Sequence, residues 1–386
     1  MGRREAAAKT EKIIQSSLLR MRFRRASLLL SGGVDSVLTL AMVRKYRPDA
    51  RVSCVSMGFG EDGDEIAAAK EIARLHDCDF CPLVVDAADS VLAGLPKLVS
   101  IVREPRWNLY QFHAFALARK HSRLIFSGDG ADELFGGYTF RYDRFLSRLP
   151  LLAGRGGSSG NNNKKNNALS AGGLWKERAR LYLECHERDW VPDQEKLFGP
   201  KVRFSWDGIY ALLRDRFDNR LHPLDQVFLA DYDGKLLYDW IPANAAFARF
   251  LDARITSLFL SDGMVGFATH IPWRVKYDSR AVLGKLPLRA ILARQRLRVE
   301  PVKKGFSVDM QSLWVRGGRE LVEQYVNRDS SRVVRDGVIA KEWLDRAQTK
   351  LVSHDVRYVN KMLGLLALEV WWRLFVDGSM KPQDRL

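Results

Sequence analysis

Over the first 140 residues the apolar positions switch repeatedly between short continuous runs and helical spacing, the pattern of buried strands separated by covering helices. Residues 26–30 form an apolar run of strand length, and 36–46 carry apolar residues at helical spacing. Residues 52–57 predict a second strand, 64–75 a helix with acidic residues in its first turn, and 80–85 a third strand. Further helical sequence leads to 124–126, a fourth short strand that runs directly into a glycine-rich turn. Strands followed in this way by helices imply a doubly wound parallel α/β sheet.

The pattern changes in the second half of the chain. Residues 151–173 become rich in Gly, Ser and Asn and read as a flexible insertion, because such a segment cannot bury enough surface to order itself. Helical spacing then dominates, at 177–188, 207–218, 224–240 and 358–375. The expected organisation is a helical extension at 1–25, an α/β core at 26–150, the insertion at 151–175, and a mostly helical part at 176–386 that completes the site. The Trp371-Trp372 pair in the last helix reads as core packing.

Composition adds limits. Hydrophobic residues at 46% and charged residues at 28% leave ample surface to bury, and 386 residues make more than one domain the default. No apolar run approaches the roughly 20 residues needed to cross a bilayer, and Met1-Gly2-Arg3-Arg4 opens no secretory apolar core, so a cytoplasmic protein is expected. Four cysteines, Cys54, Cys78, Cys81 and Cys185, are too few for a disulfide scaffold and fit a reducing compartment. Cys78 and Cys81 form a lone CxxC, but Cys81 continues into an apolar strand, which is the simpler reading. The net charge of +16 attracts polyanions, with clusters at Arg20-Met21-Arg22-Phe23-Arg24-Arg25 and from Arg289 to Arg298. Scattered along the whole chain, that charge would serve a small polyanionic ligand as well as it would serve nucleic acid, which is disfavoured as the partner.

Two glycine-rich segments carry the chemistry. Ser31-Gly32-Gly33-Val34-Asp35-Ser36 follows a strand and opens a helix, so its backbone N–H groups and hydroxyls can converge on phosphate oxygens. It lacks the GK[ST] ending of a Walker A loop. Ser127-Gly128-Asp129-Gly130-Ala131-Asp132-Glu133-Leu134-Phe135-Gly136-Gly137-Tyr138 follows the fourth strand. Gly128 and Gly130 let the backbone approach a nucleotide, and Asp132 offers a hard carboxylate for Mg²⁺. With Asp35, it would make a pair of metal ligands at the β- and γ-phosphates.

The first segment resembles the PP-loop of the N-type ATP pyrophosphatases, which cleave ATP at the α-phosphate. The second resembles the signature of the asparagine synthetase family at all twelve positions, and so singles out that branch of the superfamily. The resemblance implies an α/β sheet of the adenine nucleotide alpha-hydrolase type followed by a mostly α-helical C-terminal region, with ATP and Mg²⁺ as cofactors. It implies nucleotide contacts at Ser31, Gly32, Gly33, Asp35, Ser36, Gly128, Asp129 and Gly130, with metal ligands at Asp35 and Asp132. Val55-Ser56-Met57-Gly58-Phe59 resembles the strand end whose main chain meets adenine, implicating Val55 and Met57. Arg103-Glu104-Pro105 is similar to the family's Glu-Pro segment, which makes Glu104 the proton acceptor for the incoming amine, the lesser alternative being a surface carboxylate before a proline turn. Lys285-Leu286-Pro287-Leu288-Arg289 resembles the K-x-x-L-R segment, and Val302-Lys303-Lys304-Gly305-Phe306 the K-x-G-F segment. On that alignment Lys303, favoured over the adjacent Lys304, is the catalytic lysine, stabilising charge at the α-phosphate.

The chain departs from the family in two places. Gly2 stands where glutamine-using members carry a cysteine nucleophile after the initiator methionine, so the expected nitrogen source is ammonia or a separate glutaminase subunit. The E-x-R-x-P-F-L-D segment reads Ala268-Thr269-His270-Ile271-Pro272-Trp273-Arg274-Val275, which leaves the acceptor open. The resemblance implies adenylation of a carboxylate, first of all the aspartate side chain, followed by attack of ammonia to give asparagine and AMP. The alternatives are a related cyclase of the β-lactam or lasso-peptide type and a PP-loop enzyme that modifies tRNA. Small-molecule substrates are the expected partners, no membrane is implied, and a homo-oligomer is left open.

Overall fold

A computed structural model describes residues 1–59, 64–86, 91–155, 174–186, 189, 191–295, 297, 308–352 and 355–386. Five strands, β1 (Arg25–Leu29), β2 (Arg51–Phe59), β3 (Asp79–Val85), β4 (Leu124–Ser127) and β5 (Arg254–Ser257), form one sheet in the order β3-β2-β1-β4-β5. Every neighbouring pair is parallel. The chain winds outward from β1 to β3, then returns to the far side of β1 for β4, so the strand order reverses between β1 and β4. Open parallel sheets bind ligands beyond the strand ends at that reversal.

Alternation along each strand sends side chains to opposite faces. Leu28, Leu30, Cys54 and Phe126 face one core, covered by α1 (Arg3–Arg20), α2 (Val34–Tyr46), α3 (Asp64–Leu75) and the helix Leu286–Arg294. Leu29, Val55, Met57 and Ile125 face the other, covered by α4 (Leu95–Val102), α5 (Gln111–His121) and the helices Trp240–Phe250 and Val356–Phe375. Each fully buried aliphatic side chain here contributes roughly 1.5–3 kcal/mol, which is why the central strands read as nearly unbroken apolar runs.

The doubly wound α/β fold is the one expected, and the four predicted strands lie within two residues of their predicted limits. The fifth strand was not predicted. β5 falls inside the part read as mostly helical, yet pairs with β4 from Leu124↔Arg254 to Ser127↔Ser257, so the sheet expected from 26–150 also takes in 254–257. Its four residues, Arg-Ile-Thr-Ser, are at most half-buried and make no apolar run to read.

Elsewhere the differences are local. α6 spans Ala131–Phe135, and α7, Thr139–Arg155, enters the expected insertion, whose remaining residues to 173 lie outside the described residues. The helix expected at 224–240 is two helices, Pro223–Asp233 and Trp240–Phe250, separated after Gly234 by a short 3₁₀ turn at Leu236–Tyr238. The stretch 207–218 likewise divides, into Trp206–Leu212 and Arg214–Phe217. No helix among the described residues is long and apolar enough to cross a membrane.

Candidate active site

The turn after β1 is held closed by two hydroxyls. Ser36 Oγ donates to Ser31 O at 2.8 Å and accepts from Ser31 N–H at 3.1 Å, while Ser31 Oγ accepts from Gly33 N–H at 3.3 Å. Gly33 caps α2, so the positive end of that helix points at the turn.

The second turn follows β4 and lies against the first. A Cβ on Gly128 would stand 3.0 Å from the Asp35 Cβ, so glycine is what lets the two loops touch. Asp129 is held by its own neighbourhood: Ser127 Oγ and Asn244 Nδ2 donate to its carboxylate at 2.7 and 2.8 Å, and Ser257 Oγ donates to its main-chain oxygen at 2.6 Å. Ser257 belongs to β5, so the unpredicted strand braces the signature turn.

The two aspartates converge on one cation. Lys285 Nζ lies 2.6 Å from Asp35 Oδ2 and 2.7 Å from Asp132 Oδ1, with all three side chains largely buried. A Cβ on Gly137 would collide with Asp132 Oδ1 and Lys285 Cε, so this close approach needs a residue without a side chain. Beside it, Glu133 accepts from the Tyr138 hydroxyl at 2.5 Å. Burial first, and the charge of Asp132 next, push the Glu133 carboxyl up to about 7.

The family pattern for asparagine synthase matches residues 11–373. The chain belongs to the asparagine synthase family. It is 27% identical over 394 residues to a provisionally named glutamine-hydrolyzing asparagine synthetase of Mycobacterium bovis, covering 92% of this chain and 55% of that protein. A 125-residue stretch, 31% of this chain, is 32% identical to 19% of glutamine-hydrolyzing asparagine synthetase 1 of Bacillus subtilis. The chain thus spans about half the length of this curated relative. Among solved structures, an NMN synthetase of Francisella tularensis overlaps 36% of this chain and 59% of its own at 17% identity and a TM-score of 0.27. An ammonia-dependent NAD synthetase of Campylobacter jejuni overlaps 36% and 61%, with a TM-score of 0.25.

In this asparagine synthase family chain the two residues expected near adenine differ in availability. The Val55 carbonyl accepts Leu30 N–H at 2.8 Å and is therefore committed to the sheet. Met57, two residues on, faces the same side by strand alternation, past the point where β1 has ended. Its main chain is the better placed of the two.

Glu104 lies between α4 and α5, at the carboxyl edge of the sheet, and among the described residues it pairs with Arg106 at 3.8 Å rather than with Asp35, Asp132 or Lys285. Arg106 also binds Asp239 at 2.5 Å, and Trp371 Nε1 donates to Arg103 O at 3.0 Å, so this segment is anchored to the C-terminal helices. Lys303, with the rest of the K-x-G-F segment, lies outside the described residues. Cys81 sits in β3 opposite Val55, and no group of three or more His, Cys, Asp or Glu among the described residues is arranged to hold a metal.

The segment that departs from the family pattern alternates buried and exposed residues. Ala268 is buried, His270 is exposed with Nδ1 2.7 Å from Gly266 O, and Trp273 stacks on His222 at 4.9 Å. Next to it, burial lowers the Lys276 ammonium to about 8, only partly opposed by Asp225. Folding lowers this pKa, so stability declines as pH falls from the ordinary lysine range through about 8 and is constant below. Replacement of Lys276 by methionine should therefore stabilise the protein at pH 7 by up to about 3 kcal/mol, with the gain shrinking toward pH 10.5. Urea unfolding across that range reads it, and a methionine variant no more stable than wild type at pH 7 would contradict it.

Three features of the site were not read from sequence: the Lys285 bridge, the Asn244 and Ser257 supports of Asp129, and the Glu133–Tyr138 pair. Lys285 carried a signal in its K-x-x-L-R segment, and Glu133 and Tyr138 in the signature; Asn244 and Ser257 carried none.

Proposed function

We propose that this chain is an ATP-dependent, AMP-forming carbon–nitrogen ligase that adenylates a carboxylate and then forms an amide. The observation that carries the reading is the convergence of Asp35 and Asp132, one from each glycine turn, on a single ammonium group. Two hard oxygen donors that already share one cation fit a divalent ion such as Mg²⁺. Bound there, it would neutralise charge on the β- and γ-phosphates.

The chain's own groups would do the rest. Ser31, Gly32, Gly33 and Ser36 would meet the phosphates at the α2 N-terminus, Gly128 and Gly130 would line the opposite wall, and the Met57 main chain would face adenine. The acceptor carboxylate oxygen attacks the α-phosphorus, and the bond to the leaving pyrophosphate breaks. Ammonia then attacks the acyl carbon, the bond to AMP breaks, and the nitrogen loses a proton, for which Glu104 is the assigned base. Lys303 is assigned to the charge that develops at the α-phosphate. Lys285, released when the carboxylates take a metal, would remain beside the leaving phosphates.

Protein supplied with ATP, Mg²⁺, aspartate and ammonium should release AMP and pyrophosphate and form asparagine. Nucleotide cleavage without asparagine would shift the acceptor to another carboxylate, a second reading favoured by the substitutions at 268–275. Pyrophosphate release that requires tRNA would overturn the amide-forming reading altogether.

A further inference from the structure

Behind the signature turn, at the outer edge of the sheet, lies a cleft of about 510 Å³. Arg20 from the end of α1, Arg22 from the segment after it, and Arg254 from β5 border it, with Ser17, Thr256 and Ser261 between them. No carboxylate lines it, and the nearby Asp252 is engaged by Arg119 and Arg123. Among the described residues none of the three guanidinium groups makes an ion pair or side-chain hydrogen bond. The hydroxyls of Ser17 and Ser261 are buried and likewise have no hydrogen-bond partner among those residues.

We propose that this cleft is a second ligand site, separate from the paired glycine turns, for a small phosphorylated organic molecule. Buried hydroxyls normally find partners, and two orphans in the wall of one arginine-rimmed cleft point to a ligand that supplies acceptors. Three unpaired guanidiniums outweigh the roughly half negative charge at the α1 C-terminus. A phosphate monoester, with nearly two charges and three terminal oxygens, matches that donor set, whereas a single carboxylate would leave donors unused. Met21, Leu258 and Leu260 add an apolar wall, so the ligand carries an organic body, and the volume lies in the range of small-molecule sites.

The cleft is also joined to the site in front of it. Ser257, in its wall, donates to Asp129 O at 2.6 Å, and Leu260 fills the space beside Gly130. A ligand held at Arg254 and Ser261 therefore packs against the segment that supports the nucleotide turn.

Calorimetric titration with ribose 5-phosphate, with ribose as the phosphate-free control, tests the proposal. Saturable binding of the phosphate ester alone is expected, weakened by about tenfold or more in Arg22→Ala/Arg254→Ala. Both residues are exposed, and Arg22→Gln/Arg254→Gln, which keeps polar side chains, should lose binding to a similar degree while unfolding at the wild-type urea midpoint. An Asp35→Asn background should bind ribose 5-phosphate as wild type does, which separates this cleft from the paired turns. Absence of binding, affinity unchanged in the double variants, or loss in Asp35→Asn would each overturn it. A tRNA that binds through Arg22 and Arg254 while ribose 5-phosphate does not would overturn it in favour of a nucleic-acid face.

Discussion

Asp132→Asn should lower ATP-dependent pyrophosphate release by about a thousandfold, because it removes one of two charged oxygen ligands from the place where phosphate charge must be neutralised. The substitution preserves shape, and Lys285 keeps Asp35 as a partner at 2.6 Å, so the fold should survive. Asp35→Asn should fall by a similar factor. The double variant should be little worse than either, since groups that hold one ion act as a unit. Wild-type protein should also gain thermal stability from ATP with Mg²⁺, and both single variants should lose most of that gain. An Asp132→Asn protein that retains a tenth of wild-type pyrophosphate release would refute the assignment of this carboxylate.

The largest effect on stability is expected at Asp231, which has no exposed surface. Arg141 Nη1 and the Tyr182 hydroxyl donate to its Oδ1 at 3.0 Å each, and the Tyr142 hydroxyl donates to Oδ2 at 3.1 Å. Arg141 and Tyr142 open α7, directly after the signature, so this cluster anchors the chain as it leaves the site. Asp231→Ala would leave a buried guanidinium without its counter-ion, with His186 beside it held neutral by burial. Breaking a buried pair in this way costs about 3–5 kcal/mol. Tyr142→Phe should cost only about 1 kcal/mol, the net worth of one hydrogen bond. Urea unfolding measures both, and an Asp231→Ala midpoint no lower than that of Tyr142→Phe would show that the cluster is not an anchor.

Much of this was legible in the chain because it depends on local rules. Apolar runs at β1, β2 and β4 reported their burial directly, since a parallel strand covered on both faces has no polar side to confuse the pattern. The two glycine turns were legible because each needs particular residues at fixed spacing. β5 was not, because four short, half-exposed residues owe their strand conformation to pairing with β4 rather than to their own preference. The breaks after Asp233 and at Leu213 are equally non-local, since helical spacing continues through both in sequence.

From residue order alone came the alternation of strands and helices, the two phosphate-type turns, and Asp35 and Asp132 as an expected pair of metal ligands. Tertiary structure alone decided that these carboxylates meet on Lys285, from a position 250 residues beyond Asp35, and that β5 and Asn244 brace Asp129 from behind. Local sequence encodes backbone preference over a few residues. Which charges end up sharing one buried volume depends on how distant segments pack, and the cost of burying any of them unpaired then enforces the arrangement.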